Sequence, residues 1–203
     1  MGINHKECIT YELKDPRYSN NPVDRCFACK SELHKKIKAI TKSSQGFQVM
    51  DGLNLDDLSE YRPGIKASSL AGVISPLAEL NISKENVRTI SKSLGFPWWD
   101  KPAQPCLASR FPYGESITSK RLKQIARAEH WLISRGFTET RVRVQGLGAR
   151  IELPPNRIED LIINSVRKEL VNYFLSIGFT SVSIDLEGLI SGKLNREINS
   201  IRS

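Results

Sequence analysis

Three thiols and a few guanidiniums carry most of the chemistry that this sequence can do. Cys106 lies in the run from Trp98 to Gly114, where Pro102, Pro105, Pro112 and the terminal Gly114 forbid a regular helix. Trp98, Trp99, Phe111 and Tyr113 are too apolar for a plain solvated linker. A structured loop is therefore expected, holding the Cys106 thiol near the Arg110 guanidinium, with Ser109 between them. The competing reading is a Pro-rich hinge between two domains with an incidental cysteine.

Cys26 and Cys29 form a Cys-x-x-Cys pair just after Asp24, a suitable N-cap for a helix running to Ile40. In a first turn both sulfurs point to one side, near unpaired backbone N–H groups. Those groups, with Arg25 and Lys30, favour thiolate over thiol. The pair suits a redox dithiol, a zinc site or an iron–sulfur site, against the plain alternative of two unconnected thiols. Cys8 has no evident role.

Two further constellations concern anions and cations. Arg141 and Arg143 lie two apart in an alternating stretch, so both leave one face of a strand while Val142 and Val144 fill the other. Parallel guanidiniums make a phosphate or carboxylate clamp, and Arg150 and Glu152 share that face on a returning strand. The bland alternative is a solvated basic strand with a weak ion pair. Asp51, Asn54, Asp56 and Asp57 follow a short apolar stretch; at the carboxyl edge of an α/β sheet such a cluster suits Mg²⁺ and ribose hydroxyls. An ordinary acidic turn capping the next helix explains it equally. Arg62 precedes Pro63, so its backbone is extended and its side chain aimed.

The elements that must position these groups follow from periodicity. Strands are expected at Lys6 to Leu13, with Ile9 and Tyr11 on one face, and at Gly46 to Met50 as a buried strand. Short helices are expected from Ile65 to Gly72 and from Lys84 to Leu94, the latter capped by Ser83 and burying Val87, Ile90, Ser91 and Leu94. From Thr118 the texture changes. A helix to about Arg135, apolar at Leu122, Ile125, Ala126, Leu132 and Ile133, leads into a hairpin turning at Gly146 and Gly148. A helix from Arg157 to about Ile177 and a strand through Val182, Ile184 and Leu186 complete a small αββαβ domain.

With 203 residues, 39% hydrophobic and 26% charged, the chain has the make-up of a globular protein of one domain or two small ones. No run approaches a membrane span, and the N-terminus lacks a secretory core. The expected location is the cytoplasm, where four cysteines read as ligands or reactive thiols rather than disulfides. The net charge of +8 points to an anionic partner or to a merely basic surface.

Six segments together resemble one family: Asn21 to Lys30, Asp51 to Asp57, Tyr61 to Gly64, Ser75 to Ala78, Trp99 to Pro102 and Cys106 to Gly114. They are similar to the LarE family of ATP-dependent sulfur transferases, of the PP-loop pyrophosphatase class. The resemblance implies an α/β fold: a partial PP-loop, Rossmann-type domain over residues 1–100, a cysteine-bearing loop over 101–117 and the αββαβ domain over 118–203. It implies use of ATP and Mg²⁺ to adenylate a carboxylate of a pyridinium dicarboxylate mononucleotide, with sulfur then delivered from a cysteine to give a thiocarboxylate for a nickel-pincer cofactor. Cys106 matches the sulfur-bearing position, flanked by Ser109 and Arg110. Cys26 and Cys29 match the pair of three-cysteine members, which with Cys106 hold a [4Fe-4S] cluster; other members sacrifice the cysteine sulfur itself. Asp51, Asn54, Asp57 and Arg62 match the nucleotide-side positions. Arg141, Arg143, Glu129, Glu152 and Asp160 match phosphate- and metal-associated positions.

One departure bears on activity. The family's Ser-Gly-Gly-x-Asp-Ser loop, which cradles the ATP pyrophosphate, has no counterpart here, so the chain is expected to begin within the PP-loop domain: either the true start lies upstream, or another chain supplies the first part, or the form is truncated and inactive alone. The exposed sheet edge that this leaves favours a homo-oligomer. A PP-loop tRNA thiolase and a non-catalytic metal-binding remnant are the alternative readings. No membrane is expected as a partner. Nor is nucleic acid, since no aromatic stripe is available to stack single-stranded bases.

Overall fold

The computed structural model describes residues 4–41, 47–190, 192–194 and 196. The chain divides into two compact units, Met1–Pro102 and Ala103–Ser203.

The first unit is built of short helices. Asp15 caps α1 (Pro16–Ser19), its carboxylate accepting from the Arg17 N–H at 2.9 Å. The long α2 (Arg25–Thr41) packs mainly against α3 (Pro63–Leu70), which Pro63 opens and which ends before Gly72 in a left-handed conformation. Gly64 lets the two approach: a β-carbon there would stand 3.0 Å from the Lys30 side chain and 3.6 Å from the Cys26 carbonyl. The buried His34 Nε2 and Ser68 Oγ, 3.0 Å apart, join the same pair of helices. The single-turn α4 (Pro76–Glu79) and α5 (Lys84–Ser93) follow. Ser83 and Asn86 cap α5 reciprocally.

Three expectations differ in this unit. Residues 6–11 form no strand; Glu12–Lys14 is a 3₁₀ turn, and Ile9 and Tyr11 are exposed. Alternation alone does not make a strand when no partner offers its backbone groups. The stretch expected at 46–50 is one parallel bridge from Met50 to Ile74, with Phe47 and Met50 exposed; Gly46 lies outside the described residues. Helix α5 forms as expected, but Ile90 and Leu94 on its apolar side are 46% and 65% exposed.

In the second unit a 3₁₀ turn, Leu107–Arg110, precedes α6 (Ser119–Ile133), whose Thr118 hydroxyl accepts from the Arg121 N–H. β1 (Arg141–Gln145) and β2 (Gly148–Glu152) form an antiparallel hairpin with Arg141 opposite Glu152 and Arg143 opposite Arg150. β3 (Val182–Ile184) adds to β2 in parallel, giving the order β1-β2-β3. A parallel addition needs a crossover, which α7 (Ile158–Ile162) and α8 (Asn164–Ser176) supply. Ile125, Leu132, Val142, Ile151, Leu153 and Phe174 are fully enclosed, each stabilising the unit by about 1.5–3 kcal/mol through burial. Trp131 stacks on Tyr173 at 5.7 Å, and Phe174 on Phe179.

Here too the boundaries move. α6 ends at Ile133, and Ala128, Glu129 and Trp131 join its buried face while Ile133 is exposed. The expected single helix of 157–177 is broken at Ile163, whose ψ of 134° leaves the helical range. Leu186 falls beyond β3 and is exposed. Among the described residues no helix is long and apolar enough to cross a membrane.

Candidate functional site

The Cys106 loop is fastened from several directions. Cys106 stands at the start of the 3₁₀ turn, its side chain exposed. Its carbonyl accepts from the Ser109 N–H at 3.0 Å and the Ser109 hydroxyl at 2.8 Å. Arg110 points inward, where Nε and Nη2 donate to the two oxygens of Glu129 at 2.6 and 3.1 Å; its Nη1 donates to the Ser109 hydroxyl at 3.0 Å. Glu129, on α6, also accepts from the Val142 N–H of β1 at 2.9 Å. Arg143 closes the circuit: Nη1 donates to the Ser109 carbonyl at 2.9 Å, and Nε donates to Glu152 Oε1. Fully enclosed Phe111 plugs the base of the loop. Bidentate guanidinium–carboxylate pairs fix orientation as well as position, so thiol loop, helix and hairpin are held as one piece.

Arg141 and Arg143 both leave the sheet face opposite buried Val142 and Val144, but their situations differ. Arg143 is buried and committed to Glu152. Arg141 is half-buried and makes no hydrogen bond or ion pair among the described residues. Burial pushes its guanidinium below the usual range, the charges of Arg110 and Arg143 push the same way, and those of Glu152 and Glu129 oppose them without cancelling the shift. A half-buried guanidinium with no ion pair of its own offers a place for an anion. Fully buried Glu152 has one oxygen on Arg143, while Oε2 has no hydrogen-bond partner among the described residues. Asp160 is not gathered here; it pairs with Arg157 at 2.8 Å on the surface.

Two participants on this face were not singled out from the sequence. Asp185, just past β3, lies 3.5 Å from Arg150 and 2.7 Å from Lys193. Burial raises its pKa, but hydrogen bonds from Lys193 and the Glu187 N–H outweigh that and hold the carboxyl below its ordinary range. No spacing rule links residues 150, 185 and 193; the parallel pairing of β2 with β3 does.

In the first unit, the residues expected to meet a nucleotide are engaged with one another. Asp51 accepts from the Ser75 hydroxyl at 2.8 Å and the Leu53 N–H at 3.2 Å. Asn54 and Asp57 form a reciprocal cap over the 3₁₀ turn Leu55–Ser59. Buried Asp57 is matched by Arg62 at 2.9 Å and Lys84 at 3.1 Å, and both cations also reach Glu60. The hydrogen bond from Lys84 holds the Glu60 carboxyl below its usual range. Asp57 and Glu60 are thus already balanced and do not fit Mg²⁺ as they stand, whereas Asp51 has a hydroxyl and an N–H as partners and no ion pair among the described residues.

Cys26 sits in the first turn of α2 and Cys29 just past it, both half-buried, while Cys8 is exposed; all four cysteines are thiols. Among the described residues no three His, Cys, Asp or Glu side chains are gathered as a metal-binding group. Cys26 and Cys29 belong to the first unit and Cys106 to the second, so neither unit alone holds the three thiols expected to carry the [4Fe-4S] cluster.

No protein-family model matches the chain. Three known proteins do. An uncharacterised protein of Synechocystis sp. is 51% identical over 196 residues, covering 97% of this chain and 73% of that protein. An uncharacterised protein of Methanocaldococcus jannaschii is 32% identical over 181 residues, covering 86% and 68%. The pyridinium-3,5-bisthiocarboxylic acid mononucleotide synthase of Lactiplantibacillus plantarum is 37% identical over 196 residues, covering 96% of this chain and 70% of the synthase. At that identity and coverage, the chain belongs to the family of this synthase, the LarE family.

Proposed function

We propose that this chain takes part in sulfur transfer to a carboxylate of a pyridinium dicarboxylate mononucleotide, Cys106 bearing the sulfur and Arg141 holding an anionic group of the substrate. ATP with Mg²⁺ supplies the activation: a carboxylate oxygen attacks the α-phosphorus, pyrophosphate leaves, and the acyl-adenylate carries AMP as its leaving group. The Cys106 thiolate attacks the acyl carbon and AMP departs, giving a thioester; loss of the Cys106 α-proton with cleavage of its Cβ–Sγ bond then leaves the sulfur on the substrate as a thiocarboxylate and dehydroalanine at residue 106. The Arg110–Glu129 pair and the Arg143–Ser109 bond keep Cys106 at a fixed height over the hairpin while it reacts. Arg110 and Arg143 position; they are not free to bind substrate themselves.

What supports this reading is that one unit holds both an exposed Cys106 thiol, on a loop tied to β1 through Arg143, and a half-buried Arg141 guanidinium with no ion pair among the described residues. Orientation of reactants in this manner is a large part of catalysis. The test is to incubate the chain with ATP, Mg²⁺ and the dicarboxylate mononucleotide and to follow oxygen-for-sulfur exchange in the product by mass spectrometry. Cys106→Ala is expected to yield none. Protein mass after one turnover identifies the sulfur source, since loss of the mass of H₂S at residue 106 marks the cysteine itself. Product formation by Cys106→Ala would end the proposal.

A further inference from the structure

The far side of α6 carries a feature that the sulfur chemistry does not use. A cavity of about 550 Å³ is lined by Thr118, Lys120, Arg121, Lys123, Gln124 and Arg127 on one wall, and by Leu147, Ile177, Gly178 and Phe179 on the other. Its charged groups are all cations. Arg121 is spoken for, donating to Glu115 at 2.5 Å and to the Gly146 carbonyl. Lys120, Lys123 and Arg127 are exposed and make no hydrogen bond or ion pair among the described residues. They recur at helical spacing and form one stripe about 10 Å long at 1.5 Å rise per residue. At ~100° per residue, Glu129 lies about 180° around the helix from Lys120, so stripe and thiol-loop anchor occupy opposite faces of α6.

The placement is electrostatically unfavourable for the helix itself. The first turn of α6 contains no acidic residue and bears Lys120 and Arg121, where the helix dipole favours negative charge. A solvated face chosen for stability alone would carry Asp or Glu there. Three exposed cations along the helix, Lys120 in its first turn, beside an apolar wall in a concavity of small-molecule size, suit a compact polyanion with a flat apolar part.

We propose that this cavity is a second anion site, which binds a nucleoside diphosphate or polyphosphate with its phosphates along Lys120, Lys123 and Arg127 and its base against Leu147 and Ile177. The concave shape and limited volume favour a small ligand over an acidic protein surface or an RNA strand, which would need a longer track. The site is independent of the sulfur-transfer reading.

The experiment is calorimetric titration of the full chain with guanosine diphosphate, chosen because it is not the activating nucleotide of the proposed reaction. Pyrophosphate and guanosine are parallel probes. Saturable binding of guanosine diphosphate is expected, weaker binding of pyrophosphate and none of guanosine. Lys123→Glu/Arg127→Glu, both on the exposed stripe, is expected to weaken guanosine diphosphate by about tenfold or more. Arg141→Ala is expected to leave it unchanged. Amide chemical shifts of residues 118–127 and 147 should move on titration, and the gentler Lys123→Gln/Arg127→Gln should give an intermediate loss. Binding indifferent to charge reversal, equal loss in Arg141→Ala, or displacement of the diphosphate by a polyglutamate peptide or bulk tRNA at lower concentration would each overturn the proposal.

Discussion

Replacing Glu129 by Gln tests whether the Arg110–Glu129 pair organises the second unit. Arg110 and Glu129 are only 5% and 8% exposed. Glu129 accepts three hydrogen bonds, two from Arg110 and one from the Val142 N–H. The amide keeps the size of the carboxylate but turns one acceptor into a donor facing a donor, and it leaves the Arg110 charge buried without a counterion. Removing one member of a buried pair destabilises by about 3–5 kcal/mol. For a unit of this size that is a fall in melting temperature of about 12 °C or more. The assay is urea unfolding in a Trp98→Phe/Trp99→Phe background, which leaves buried Trp131 as the reporter of the second unit. Arg110→Met/Glu129→Leu, which removes both charges, is expected to recover most of the loss because no ion stays uncompensated. A loss below about 1 kcal/mol in Glu129→Gln, or a double variant as unstable as the sum of its parts, would refute the argument.

Further expectations rest on other sites. Arg141→Ala should raise the KM for the mononucleotide by about tenfold or more with a smaller change in kcat, and Arg141→Lys should restore part of the affinity, as kinetics with product detection would read. Burial, helped by the charge of Lys30, pushes the His34 imidazole below its usual pKa, so the folded state favours neutral His34 and the unfolded chain binds the proton more readily. This contribution to stability is complete above about pH 6.5 and declines as the pH falls through that value. Urea midpoints at about pH 8 and pH 5.5 should therefore diverge in the wild type and converge in His34→Asn. Gly188→Ala places a β-carbon 2.5 Å from the Leu153 carbonyl at a φ of +75°, and should lower thermal stability by about 1–3 kcal/mol in a melting experiment.

Elements whose own residues carry both periodicity and stop signal were legible in advance. The hairpin is one: Arg141 to Val144 alternates, Gly146 turns with a φ of 57°, and the return strand pairs Arg141 with Glu152. Helix α6, opened by Thr118, is another. The break at Ile163 was not legible, because no Pro or Gly marks it and apolar residues on both sides satisfy one helical stripe. The 6–13 strand failed for a related reason: a period of two describes a surface, and only a partner makes it a strand. For the candidate site, residue types were readable and their employment was not. The paired arginines read as one clamp, yet Glu152 claims Arg143 and leaves Arg141 open. Arg110, 19 residues from Glu129, read as a group near the thiol, whereas packing turns it inward. Likewise, within the acidic run at 51–57, Asn54 and Asp57 cap a turn and Asp57 is balanced by Arg62 and Lys84.

Ser109 gives the loop a mechanical character that its composition hides. Its hydroxyl holds the Cys106 carbonyl while its own carbonyl is gripped by Arg143 from β1. A tug on the hairpin therefore travels through two hydrogen bonds to the residue carrying the sulfur. Deuterium uptake at the Ser109 and Phe111 amides should keep pace with the strand rather than with ordinary surface loops, so the segment 106–110 breathes only when the sheet edge does.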